Sequence, residues 1–148
     1  SSVSGIFGQF GQSAYGAAKM GMLGLMNVLA LEGRSHGIKI NCLSPGADTR
    51  MTALDKELGI DPSKPRPQSH PKLVTPIALF LASDDAPNGM VIHGLSGHYL
   101  RSETFANKGI ALDPDALAED LISNIEQVLD MSSAKALAEP GNIALLGK

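Results

Sequence analysis

Small and apolar residues crowd the stretch Ser13–Glu32, in which only Lys19 and Glu32 carry charge. The pattern predicts one long helix, with Ser13 as its N-cap and Gly33 and Gly37 as stop signals. One face of that helix carries Ala18, Met22, Leu25 and Leu29. Another carries Ala14, Ala17, Gly21 and Gly24. Glycine inside a helix costs up to about 1 kcal/mol relative to alanine, so several on one face imply close backbone approach, to a sheet or to a partner helix. A short apolar run at 38–43 predicts a strand that ends at Pro45-Gly46. A second helix is predicted over 74–82, with Pro76 in its first turn, then turn residues 84–89 and a second strand at 90–95. Residues 1–12 read as the end of a central strand followed by a glycine-rich loop.

Residues 47–72 break this regularity. Pro62, Pro65, Pro67 and Pro71 forbid a long helix there. A loop this long is a substrate lid or a plain mobile loop, with room for a short helix over 51–58. A boundary is expected near Gly109, giving a main domain over 1–108 and an extension over 109–148. In the extension, Asp113 reads as an N-cap with Pro114 at the first helical position. Leu117, Leu121, Ile125, Val128 and Leu129 then form one apolar stripe. That amphipathic helix should run to about Met131 and cover either the chain's own core or a neighbouring subunit.

Composition narrows the function classes. A hydrophobic content of 43% and a charged content of 18% suit a globular domain. The net charge of −3 and the lack of a basic cluster give nucleic-acid binding no electrostatic support. No apolar run is expected to reach the roughly 20 residues of a membrane helix. The single cysteine, Cys42, forbids an internal disulfide and fits a reducing cytoplasm. Its place in a strand reads as a buried structural thiol rather than a nucleophile. His36, His70, His93 and His98 lack the helical zinc spacing, so no metal site is expected. His70 with Lys64 and Arg66 could meet a phosphate-bearing substrate or simply be solvated.

The chemistry concentrates in Ser13-Ala14-Tyr15-Gly16-Ala17-Ala18-Lys19. Tyr15 and Lys19 sit four apart, hence on one helix face. A free phenol titrates near pH ~10. A cation one turn away favours its ionised form, as general acid–base work near neutrality requires. Chance also places such pairs on helix surfaces, so the neighbours matter. Ser2 precedes Tyr15 by thirteen residues, and Ile38-Lys39-Ile40-Asn41-Cys42-Leu43-Ser44-Pro45-Gly46 follows.

This ordered set, over residues 1–105, resembles the short-chain dehydrogenase/reductase family. The resemblance implies the C-terminal half of a doubly wound Rossmann-type α/β parallel sheet, with a C-terminal helical extension. It implies an oxidoreductase that uses NAD or NADP to interconvert a secondary alcohol and a ketone. Tyr15 would exchange the proton. Lys19 would assist it and bind the nicotinamide ribose. Ser2 would orient the substrate oxygen. Pro45, Gly46 and Ala47 would pass beside the nicotinamide, and Thr49 would reach its carboxamide or the phosphates. Asp48 departs from the family pattern by standing where an aliphatic residue is usual. The stretch 5–22 is similar to the dehydrogenase unit of multifunctional β-oxidation enzymes, which implies 3-hydroxyacyl-CoA substrates. Family members commonly dimerise through the helix that bears the tyrosine.

The family's glycine-rich phosphate loop is not in these 148 residues. The chain alone is therefore expected to be an inactive fragment, acting as a homo-oligomer or with an N-terminal half. The alternative is a non-catalytic interaction module derived from the same fold.

Overall fold

The computed structural model describes residues 1–48 and 69–137. They fall into two compact units, Ser1–Ser102 and Glu103–Lys148. In the first, β1 (Cys42–Gly46) runs parallel to β2 (Val91–Leu95), and β2 pairs antiparallel with β3 (His98–Ser102). Helix α3 (Thr75–Leu81) lies between β1 and β2 in sequence. A parallel pair needs such a crossover, and the result is the expected α/β class, a partial Rossmann-like sheet.

Two asparagines lock the start of the parallel ladder. Asn41 accepts from Met90 N at 3.0 Å through Oδ1 and donates to Pro87 O at 2.6 Å through Nδ2. Asn88 accepts from Ile40 N at 2.8 Å and donates to Ala30 O at 3.0 Å. These side chains take the backbone groups of residues 40 and 90, and Lys39 Nζ binds Asp84 O. The strand therefore begins at Cys42, not at residue 38, and continues through Pro45 and Gly46. Proline fits there because an outer position in a ladder does not need its N–H.

Helix α2 (Ser13–Glu32) has the expected bounds. Its cap differs: Gly16 N donates to Gln12 O at 2.7 Å, so Gln12 is the N-cap and Ser13 is already helical. The covered face also differs. Met26 and Ala30 are buried and Leu23 packs beside them, whereas Met22, Leu25 and Leu29 are exposed. The reason is the narrow sheet beneath, where only Cys42 and Val91 complete the core cluster with Met26. Gly21 and Gly24 face open space, and the close approach falls instead at Gly16, where an added Cβ would lie 3.2 Å from Ser4 O. By length and composition α2 could cross a membrane, with a mean hydropathy of 1.2, which corrects the expectation that no run is long enough. Core helices of soluble proteins pass the same test, and here one stripe of α2 seats on the sheet.

Residues 3–6 form a short helix, α1 (Val3–Ile6), where the end of a strand was expected. Ser2 is its N-cap, accepting from Ser4 N at 3.2 Å. The opposite face of the sheet is covered by α3. A Cβ on Gly94 would lie 3.0 Å from Ile77 Cγ2, and Tyr99, cross-strand from Gly94, donates its hydroxyl to Leu73 O at 2.7 Å. Strand β3 was not anticipated. It forms because Ser96 (φ 50°) and Gly97 (φ 84°) both adopt the left-handed conformation of a two-residue hairpin loop.

In the second unit, β4 (Phe105–Ala106) pairs antiparallel with β5 (Lys135–Ala136). The single amphipathic helix expected to reach Met131 is two helices, α4 (Ala118–Ser123) and α5 (Ile125–Leu129). Asp120 Oδ2 accepts from Leu117 N at 2.9 Å, which starts α4 after Leu117 rather than at Asp113. Asn124 then donates its side chain to Asp120 O at 2.9 Å, competing with the backbone at the break.

Replacing Asn88 by alanine strips partners from Ile40 N–H and Ala30 C=O together. The expected loss is about 1–3 kcal/mol, read as a lower urea midpoint at unchanged m-value. An unmoved midpoint would mean that solvent replaces both bonds at no cost.

Candidate active site at the carboxyl end of the first strand

Three segments meet beside β1: the start of the chain, the Lys19 turn of α2 and Leu43 of the strand. Gly5 is the hinge of the arrangement. A Cβ there would stand 2.8 Å from Lys19 Cβ and 2.9 Å from Met20 N, so only glycine lets α1 lie against α2. Ser1 Oγ donates to Lys19 O at 2.9 Å, and Ser1 N donates to Leu43 O at 2.8 Å. The segment that holds Ser2 is thereby tied to the Lys19 turn of α2 and to β1. Ser2 Oγ accepts the capping bond from Ser4 N, and its hydroxyl hydrogen is left to donate.

Tyr15 and Lys19 share one face of α2, with Lys19 Nζ 5.4 Å from the centre of the Tyr15 ring. Tyr15 is 43% exposed, so a ligand can reach it. Pro45 and Gly46 close β1, and Ala47 follows at once. That is the strand edge at which open α/β sheets bind ligands. Thr49, Lys64, Arg66 and the short helix over 51–58 lie outside the described residues, as does most of the loop 47–72. Its described ends are joined. Asp48 N donates to Ser69 O at 2.7 Å, and Ser69 N donates to Asp48 Oδ2 at 3.2 Å. Ser69 Oγ donates to Gly46 O at 2.6 Å and accepts from Ser96 Oγ at 3.1 Å. Asp48 thus has a structural use in the position where the family pattern has an aliphatic residue. His70 caps the turn Pro71–Leu73 through Nδ1, 3.1 Å from Lys72 N.

Two buried groups lie below this edge. Cys42 is 5% exposed and its thiol donates to Met22 O at 3.5 Å. Burial pushes that thiol up from its ordinary pKa, so it stays protonated, a structural cysteine as expected. His93 is fully buried, with Nε2 2.6 Å from Ser102 Oγ and its ring stacked on Phe7 at 6.1 Å between centroids. Sequence reasoning considered His93 only as a metal ligand. The missed signal was a histidine inside the apolar run of a parallel strand.

Comparison with known proteins bears on the family and the fold. The family model described as short chain dehydrogenase matches residues 1–59. A Mycobacterium tuberculosis protein of short-chain dehydrogenase/reductase type is 36% identical over 135 residues, 90% of this chain and 46% of its own length. The acetoacetyl-CoA reductase of Allochromatium vinosum is 41% identical over 91 residues, 58% of this chain and 37% of the reductase. The solved structure of peroxisomal multifunctional enzyme type 2 from Drosophila melanogaster superposes with a TM-score of 0.72 at 33% identity, over 91% of this chain and 24% of that one. The chain spans less than half the length of each of these relatives.

The environment of His93 sets a pH dependence. Burial holds its folded pKa below the ordinary value near 6.5, so the unfolded chain binds the proton first as pH falls. The stability linked to His93 is complete above pH ~6.5 and is lost as pH drops through the folded pKa. Unfolding free energy followed from pH 8 to 5 should fall in that window, and His93→Gln should remove this part of the slope. An identical slope in both proteins would rule His93 out as its source.

Proposed function

Because the chain belongs to the short-chain dehydrogenase/reductase family, we propose that it supplies the catalytic side of an NAD- or NADP-dependent oxidoreductase. The reaction interconverts a secondary alcohol and a ketone. The observation that carries this reading is the seating of α1 on the Lys19 turn, made possible by Gly5, with Ser1 tied to Leu43 of β1. A hydroxyl, a phenol and an ammonium on neighbouring segments are the donor set that a nicotinamide ribose and a substrate carbonyl or hydroxyl would use.

In this reading Tyr15 takes the hydroxyl proton as the alcohol is oxidised, and returns one to the oxygen in the reverse direction. Lys19, with its charge beside the ring, stabilises negative charge on the phenol and hydrogen-bonds the ribose. Ser2 donates its free hydroxyl hydrogen to the substrate oxygen, holding it in place and stabilising developing charge. Pro45, Gly46 and Ala47 line the nicotinamide side, with Thr49 assigned to the carboxamide or the phosphates. The cofactor, when bound, supplies the hydride chemistry; the chain supplies position and electrostatics. The substrate class we assign is a 3-hydroxyacyl-CoA and its 3-keto partner. The similarity to a protein named acetoacetyl-CoA reductase and to peroxisomal multifunctional enzymes supports that choice.

A second reading rests on a different observation. Met20, Met22, Leu25 and Val28 of α2 are all exposed, more apolar surface than one helix of a monomer usually presents. This face suits assembly, either with a second copy or with a chain that carries the phosphate loop.

The catalytic reading is tested in an active preparation containing this segment, with NAD-linked oxidation of a 3-hydroxyacyl-CoA. Tyr15→Phe should lower kcat by about 10²–10⁴, with the fold intact by circular dichroism; a loss of only a few-fold would sink the assignment. The assembly reading predicts that the 148-residue polypeptide alone self-associates in sedimentation and shows no micromolar NADH binding by fluorescence. A monomer that binds NADH would contradict it.

A further inference from the structure

Ser44 and His93 are both wholly shielded from solvent. They occupy the same step of the parallel ladder between β1 and β2, on strands about 4.8 Å apart. Side chains two apart share a sheet face. Ser44 and His93 therefore lie on the face of Cys42 and Val91, the face covered by α2. His93 uses Nε2 on Ser102 Oγ at 2.6 Å. His93 Nδ1 and Ser44 Oγ are left as buried polar atoms with no protein partner. Native interiors rarely leave such atoms unpaired, and here two stand on neighbouring strands.

We propose that Ser44 Oγ and His93 Nδ1 together bind one internal water molecule, which completes a hydrogen-bonded chain from Ser44 through His93 to Ser102 across all three strands. The chemistry selects water. A neutral imidazole offers one donor and one acceptor nitrogen, and Ser102 can satisfy Nε2 in either tautomer. The molecule on Nδ1 must then be able to donate or accept as required, and to do the other with a hydroxyl. This face also carries Cys42, Gly46, Val91, Leu95, Leu100 and Ser102, with His98 at the hairpin end and Phe7 stacked on the ring. Those next to Ser44 and His93 in the ladder, Cys42, Gly46, Val91, Leu95 and Leu100, offer no charge to balance a cation or an anion. Burial keeps the imidazole neutral, which is the state the bridge needs. Globular proteins hold about one buried water per ~27 residues, each on two to four polar partners, so such a site is ordinary in kind. Its use here is to satisfy both buried polar atoms and stiffen the floor on which Phe7, at the end of α1, rests.

The site is independent of the reaction proposed above, and its test needs no substrate. In the intact protein, long-range ¹⁵N correlation spectra should show His93 as a neutral imidazole at pH 7. Water cross-relaxation spectra should show a long-lived water at the His93 and Phe7 ring protons. Ser44→Ala should abolish that water signal, while Ser44→Thr, which keeps the hydroxyl, should preserve it. The wild-type spectra decide the matter even if a variant fails to fold. A wild type without the long-lived water, or a direct Ser44–His93 hydrogen bond in its place, would overturn the proposal.

Discussion

The parallel pairing of β1 with β2 is the constraint on which the first unit hangs. It juxtaposes residues 42–46 with 91–95, far apart in sequence, and so carries the loop-closure entropy of the longest connection in this unit. Asn41 and Asn88 offset part of that cost by giving each strand's entry a partner on the other. Once the pair exists, α2 has Cys42 and Val91 to cover, α3 has Gly94 to lie against, and Ser96-Gly97 can fold β3 back along β2. None of these contacts has a landing place without the ladder.

The candidate site depends on the same ladder at one remove. Ser1 is held by Leu43 O of β1 and by Lys19 O of α2, so the serine segment bridges the sheet and the helix that carries the tyrosine. That bridge is possible only because Gly5 has no side chain to push α1 away from Lys19. Position for the proposed chemistry therefore rests on one missing Cβ and two hydrogen bonds from Ser1, one to the sheet and one to the helix.

The parts legible in the sequence were those whose signals are local. The bounds of α2 follow from its composition and the glycine after it. The i, i+4 relation of Tyr15 and Lys19 is a property of any helix. The β2 strand is a compact apolar run closed by turn residues on one side. The parts that were not legible are set by partners distant in the chain. α1 is a helix because it can pack on Lys19 and Met20, which four residues of local sequence do not reveal. The start of β1 is set by Asn88, and the covered stripe of α2 by the width of a sheet assembled elsewhere. Asn124 breaks the last helix through one side-chain bond to Asp120 that an apolar stripe does not register. In the site, resemblance pointed to Ser2, Tyr15, Lys19 and the Pro45-Gly46 turn, but the burial of His93 and the pairing of Asp48 with Ser69 are tertiary facts.

That last pairing bears on the length of chain between its two residues. Because Asp48 and Ser69 hold each other and Ser69 holds Gly46, the chain closes a ring at the strand end. Ring-closure entropy grows only logarithmically with the length of an insert. A change in the length of that excursion would therefore cost little at the clasp that Asp48 and Ser69 form on Gly46.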